Sequence, residues 1–100
     1  MAKQIIWSLT AQLDRKEILL YWINRNKSRT YSKKLNKLFI EAIQLIAEFP
    51  EIGKPTTHKT ARTKIVRDYL IVYEHDITKN QIIILRIWDS RQNPNLISNY

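Results

Sequence analysis

The segment from Tyr31 to Phe49 restricts the possible folds more than any other part of the chain. Tyr31, Leu35, Leu38, Phe39, Ala42, Leu45, Ile46 and Phe49 recur at three- and four-residue steps, laying one broad apolar stripe along a helix. Lys33, Lys34, Lys37, Glu41 and Glu48 fall off that stripe, as a half-exposed helix requires. Pro50 ends it, since proline lacks the N–H and disfavours helical geometry in the residue before it. Such a helix must bury its stripe on another element, so the neighbouring segments decide the fold.

Upstream, Ile5, Ile6 and Trp7 favour a short strand, and Ser8 is suited to cap a helix. From Leu9 to Asn26 no proline or glycine intervenes. Ala11, Ile18, Tyr21, Trp22 and Arg25 fall at helical spacing, and Leu13 and Leu20 widen the apolar face. The polar run from Asn24 to Ser28 is a tight connection, with Ser28 as the expected N-cap of the second helix, so the two helices form an antiparallel hairpin. Downstream, Glu51 to Arg62 has no apolar period, carries the sole glycine (Gly53) and reads as a basic loop. β-Branched and aromatic residues then dominate in Lys64 to Arg67, Tyr69 to Glu74 and Gln81 to Trp88, with turns at Asp68 and at Asp76 to Asn80.

The expected fold is therefore α+β: an N-terminal strand, an antiparallel two-helix hairpin, and a three-stranded antiparallel meander packed on the helices. At 100 residues, one domain spanning 1–100 is the natural reading. The last strand is apolar on both sides. Strict alternation would put Ile82, Ile84 and Trp88 on one face and Ile83, Leu85 and Ile87 on the other. One helical hairpin cannot cover both, so a partly apolar face should await a partner.

Seventeen lysines and arginines against nine acidic residues give a formal charge of +8, a surface that attracts polyanions or acidic proteins. The absence of cysteine excludes disulfides, thiolate catalysis and cysteine-based zinc sites, and no other ligand set suggests a metal or cofactor. The N-terminal apolar run is too short for a signal peptide or membrane span, so a cytoplasmic location without a membrane partner is expected. Trp7 and Trp22 fall on faces the core needs, whereas Trp88, ending the last strand, is placed to open onto the sheet face. Arg67, Arg86 and Arg91 form a possible cationic strip there, the plain alternative being solvation or pairing with Asp68 and Asp89.

Three segments carry a resemblance to a known family. Phe49-Pro50-Glu51-Ile52-Gly53-Lys54-Pro55 resembles the link after the second helix in RelE/ParE toxins. Arg67-Asp68-Tyr69-Leu70-Ile71-Val72-Tyr73 resembles their hairpin strand, and the stretch from Ile84 to Pro94, with Arg86 and Arg91, resembles their closing strand. Their order and spacing cover nearly the whole chain. The resemblance implies the toxin of a bacterial type II toxin–antitoxin module of the plasmid-stabilisation kind. Growth inhibition and an adjacently encoded, short acidic antitoxin as partner are expected with it.

RelE-type members cut mRNA on the ribosome, and ParE-type members poison DNA gyrase. In-line attack of a 2′-hydroxyl needs a base, an acid and cations around the phosphorane. The position at which RelE-type toxins carry an arginine, just before the Leu-Val-Tyr of the middle strand, is Leu70 here, and Ile97 stands near the position of their C-terminal tyrosine. Leu70, the long helical hairpin and the Pro50 link are more similar to ParE, so gyrase is the expected target and no enzymatic activity is assigned. The alternative is a metal-independent endoribonuclease drawing on His58, Lys59, Arg67, Arg91 and Tyr100, with Lys54, Arg62 and Lys64 as further phosphate contacts. A third reading is a basic nucleic-acid-binding module without toxicity. Under the leading reading, Arg67, Arg86, Trp88 and Arg91 contact target or antitoxin.

Overall fold

The computed structural model describes residues 3–57 and 60–91. Its elements are β1 (Gln4–Trp7), α1 (Leu9–Asn26), α2 (Thr30–Glu48), β2 (Lys54–Pro55), β3 (Ala61–Val66), β4 (Tyr69–Asp76) and β5 (Gln81–Asp89). The strands form one five-stranded sheet in the order β1-β5-β4-β3-β2. β1 runs parallel to β5 and every other pairing is antiparallel. The expected meander is present, extended by a strand at each edge. The segment read as a basic loop contributes one of them: Lys54 and Pro55 pair with Thr63 and Arg62, a two-residue edge strand too short to leave a pattern.

Both helices lie on one face of the sheet. Leu35, Phe39, Ile43 and Ile46 of α2 and Ala11 of α1 join Val66, Tyr69, Ile71, Tyr73, Ile82, Ile84 and Ile87 in a single core. Phe39 meets Tyr69 edge-on, ring centroids 5.7 Å apart. Trp7 and Trp22 pack against this core as the sequence suggests, and Trp22 Nε1 donates to the Tyr69 hydroxyl at 2.8 Å. The outer part of α1 differs from expectation. Leu13 and Leu20 do not widen the buried face but stay 51% and 46% exposed, because α1 turns Ala11, Ile18, Leu19 and Trp22 toward the core instead.

Ser8 caps α1 by accepting from the Ala11 N–H at 3.0 Å. Lys27 ends that helix in left-handed backbone, φ 52°. Ser28 does not occupy the N-cap of α2; Arg29 does, without a side-chain bond, while Ser28 Oγ accepts from the Thr30 N–H one position in. Gly53 is required by close packing rather than by φ. A β-carbon there would come within 2.5 Å of the Tyr73 hydroxyl oxygen. That hydroxyl donates to the Pro50 carbonyl at 2.6 Å and accepts from the Gly53 N–H at 2.9 Å, tying the chain after α2 to the middle strand.

The alternation expected for β5 is broken. Val72 pairs with Arg86 and Tyr73 with Ile84, so Leu85 is an extra residue on β5, a β-bulge. Beyond it the faces exchange, so Ile87 joins Ile82 and Ile84 in the core and Arg86 and Trp88 share the opposite face. The bulge is held by the β1–α1 junction: Ser8 N–H donates to the Ile84 carbonyl at 3.0 Å and Ser8 Oγ to the Leu85 carbonyl at 2.9 Å. No helix among the described residues is long and apolar enough to cross a membrane.

Candidate functional site

Away from the helices the sheet presents Thr63 and Ile65 of β3, Leu70 and Val72 of β4, and Arg86 and Trp88 of β5, as the strand register dictates. Leu70 lies between Ile65 and Trp88 in that register and is 8% exposed. Val72 is buried as well, whereas Ile65 is 66% exposed at the margin. A cleft of about 690 Å3 opens over this surface, lined by Ile52, Thr63, Ile65 and Leu70, with Lys54, Lys64 and Ser90 also reaching it. The position compared with the nuclease arginine is thus a leucine with little access to solvent.

A second cleft, about 450 Å3, lies between α1 and the ends of β4 and β5. Arg86, Trp88 and Arg91, proposed from the sequence as contact residues, line it together with Glu17, Tyr21 and Tyr69. The Arg86 guanidinium is clamped by Asp14, at 2.8 Å from Nε and 3.2 Å from Nη2, and lies 4.9 Å over the Trp88 ring. Asp14 also accepts from the Ile87 N–H at 3.1 Å, taking the place of a neighbouring strand where β1 has already turned into α1. Asp14 was not singled out by sequence, although a signal existed: Ala11, Asp14, Ile18 and Trp22 form one helical stripe, and a carboxylate on a buried stripe requires a partner.

Arg91 is paired too. Its Nη2 and Nε lie 3.0 and 3.1 Å from Asp89, and Nη1 lies 3.9 Å from Asp68. Hydrogen bonding to Arg91 holds the Asp89 carboxyl below the usual carboxylate range, and Asp89 in turn pushes the Arg91 guanidinium further up. Burial raises the Tyr69 phenol, opposed by the hydrogen bond from Trp22. The strip is therefore a set of charge pairs around aromatic rings rather than a row of free cations.

Arg67 is separate from it. It forms the tip of the β3–β4 turn with φ 58° and is exposed. Arg62 is anchored to the Gly53 carbonyl at 2.8 Å, while Lys54 and Lys64 both reach the larger cleft. His58, Lys59, Ile97 and Tyr100 lie outside the described residues.

Comparison with known proteins adds three findings. The family model of the ParE toxin of the type II toxin–antitoxin system parDE matches residues 5–94. No curated protein sequence matches. Among solved structures, the chain is similar to one titled as the chromosomal ParDE system of P. aeruginosa, with TM-score 0.73 and 17% identity over 86% of this chain and 94% of that one. It is also similar to a double mutant of the E. coli toxin RelE in the free state, with TM-score 0.62 and 16% identity over 98% and 94% of the two chains. The RelBE2 complex of Mycobacterium tuberculosis gives TM-score 0.62 and 16% identity over 87% and 96%. At these identities the structures speak for the fold, and the family model speaks for the family: the chain belongs to the ParE toxin family of type II toxin–antitoxin systems.

Proposed function

We propose that this toxin arrests growth by binding DNA gyrase in the cytoplasm and is held inactive by an acidic antitoxin encoded beside it. The observation that carries the choice of target is Leu70. Phosphoryl transfer to a 2′-hydroxyl builds negative charge that a cation must meet. A leucine sandwiched between Ile65 and Trp88 offers none, and the guanidiniums of Arg86 and Arg91 are already engaged by Asp14 and Asp89, which leaves Lys54 and Lys64 as the cations that reach this cleft. The apolar surface favours recognition of a protein over positioning of a phosphate. The same surface suits an antitoxin segment that folds on binding, apolar anchors over Leu70 and Ile65 and carboxylates beside the arginines. The similar solved structures include a ParDE toxin–antitoxin system and the RelBE2 toxin–antitoxin complex, which supports an antitoxin as partner.

The experiment is induction of the chain alone in bacteria, followed by DNA-damage signalling and by mapping of mRNA 5′ ends. Growth arrest with damage signalling and intact mRNA is expected, relieved by co-expression of the adjacent frame. Ribosome-dependent mRNA cuts would assign the chain to the nuclease branch. Normal growth with abundant folded protein would favour the non-toxic binding module.

A further inference from the structure

The first helix carries a second apolar stripe on the side turned away from the core. Ala11, Ile18, Leu19 and Trp22 of α1 face the core, whereas Leu9, Leu13 and Leu20 stand about half a turn around the helix and are 71%, 51% and 46% exposed. With Lys16 between them they recur at steps of four, three and four residues, the spacing of a coiled-coil seam. Together with Gln12 they line a shallow depression of about 460 Å3. The hairpin already buries its inner stripe, so the fold does not need leucine at these three positions. Contiguous apolar surface of this kind marks a contact with another molecule.

The charge of this face identifies what covers it. Between Leu9 and Leu20 the charged residues are Asp14, Arg15, Lys16 and Glu17. Asp14 is taken by Arg86, and the Arg15 guanidinium lies 5.0 Å over the Trp7 ring. Lys16 and Glu17 remain, both exposed and neither in an ion pair among the described residues, and their charges cancel. On a chain of formal charge +8 this stripe is thus neutral, and it gives an acidic segment or a nucleic acid nothing to hold. It complements itself instead. Set antiparallel about a two-fold axis, Leu9 meets Leu20 of a second copy and Leu13 meets the aliphatic stem of Lys16, whose ammonium comes within reach of Glu17 across the contact. A parallel pairing would stack Lys16 on Lys16.

We propose that a second copy of this chain covers the outer face of α1, the two helices running antiparallel in a symmetric dimer. The seam from Leu9 to Leu20 is roughly 16 Å long, which makes a contact at the small end of protein interfaces and a dimer that dissociates in the micromolar range. It lies on the far side of the helices from the sheet, so the open face of each copy stays clear. The inference is independent of whether gyrase or mRNA is the target.

Sedimentation equilibrium of the purified chain, from about 1 to about 200 µM, should show monomers passing into dimers. Leu13→Gln and Leu20→Gln should each raise the dissociation constant roughly tenfold or more, with the Tm of the dilute monomer unchanged. Ile77→Gln, in the β4–β5 turn and 80% exposed, should dimerise as the wild type does. The absence of cysteine makes the register readable by disulfide trapping. An oxidised mixture of Leu9→Cys and Leu20→Cys should give the mixed disulfide, while Leu9→Cys alone should give none, its two thiols standing roughly 16 Å apart. A wild-type chain that stays monomeric across this range would overturn the proposal. So would a dimer that both leucine variants leave intact, equal weakening in Ile77→Gln, or a disulfide formed by Leu9→Cys alone.

Discussion

Replacing Asp14 by alanine removes three hydrogen bonds at the place where α1 meets the bulged strand. Two come from Arg86, at 2.8 and 3.2 Å, and one from the Ile87 N–H at 3.1 Å. The Asp14 side chain is 14% exposed and that of Arg86 34%, so the pair lies between a dry and a wet salt bridge. Breaking one side of a buried pair costs about 3–5 kcal/mol, and an exposed pair contributes roughly 0–1 kcal/mol. The intermediate exposure, with the orphaned Ile87 N–H included, places Asp14→Ala at about 2–3 kcal/mol. For a domain of this size that lowers Tm by roughly 8–24 °C. Asp14→Asn, which keeps an acceptor for Ile87, should lose less. The double variant Asp14→Ala/Arg86→Met should recover part of the loss, since no cation is then left without its partner. Thermal and urea denaturation of the four proteins measure this directly. A change in Tm below about 2 °C for Asp14→Ala would refute the claim that this contact fixes the bulge.

Three further outcomes follow from the packing. Tyr73→Phe strips the hydroxyl that joins Pro50 to Gly53 and should cost about 1–3 kcal/mol in urea denaturation, with the fold retained. Gly53→Ala sets a methyl against the Tyr73 hydroxyl and 2.9 Å from the Thr63 carbonyl oxygen, and should lower Tm by disturbing the same junction. Burial raises the Tyr69 and Tyr73 phenols above their ordinary value of 10.0. The unfolded chain therefore loses these protons first, and their contribution, complete below pH 10, is lost as pH rises through the folded values. Tm should fall above that pH, and a rise would contradict the assignment.

Much of the fold was legible because it rests on local periodicity. The α2 stripe, the Pro50 stop, the Ser8 cap and the three long strands all follow from patterns within single segments. What was not legible depends on partners far apart in sequence. The pairing of β1 with β5 joins residues 77 apart, and a two-residue strand such as β2 exists only because β3 lies beside it. The bulge at Leu85 could not be read from alternation, since its carbonyl is satisfied by Ser8 at the other end of the chain. For the site, clustering of Arg86, Trp88 and Arg91 was foreseeable from their spacing on one strand end. Their state was not: Asp14 arrives from α1, and Arg67, grouped with them in sequence, faces a different depression.

The most direct measurement for the account is DNA cleavage by purified gyrase in the presence of the purified toxin. The account predicts stabilised gyrase–DNA cleavage complexes that accumulate with toxin concentration and disappear when the antitoxin is added first. Unchanged gyrase activity at saturating folded toxin, with mRNA cut in a translating extract, would contradict it.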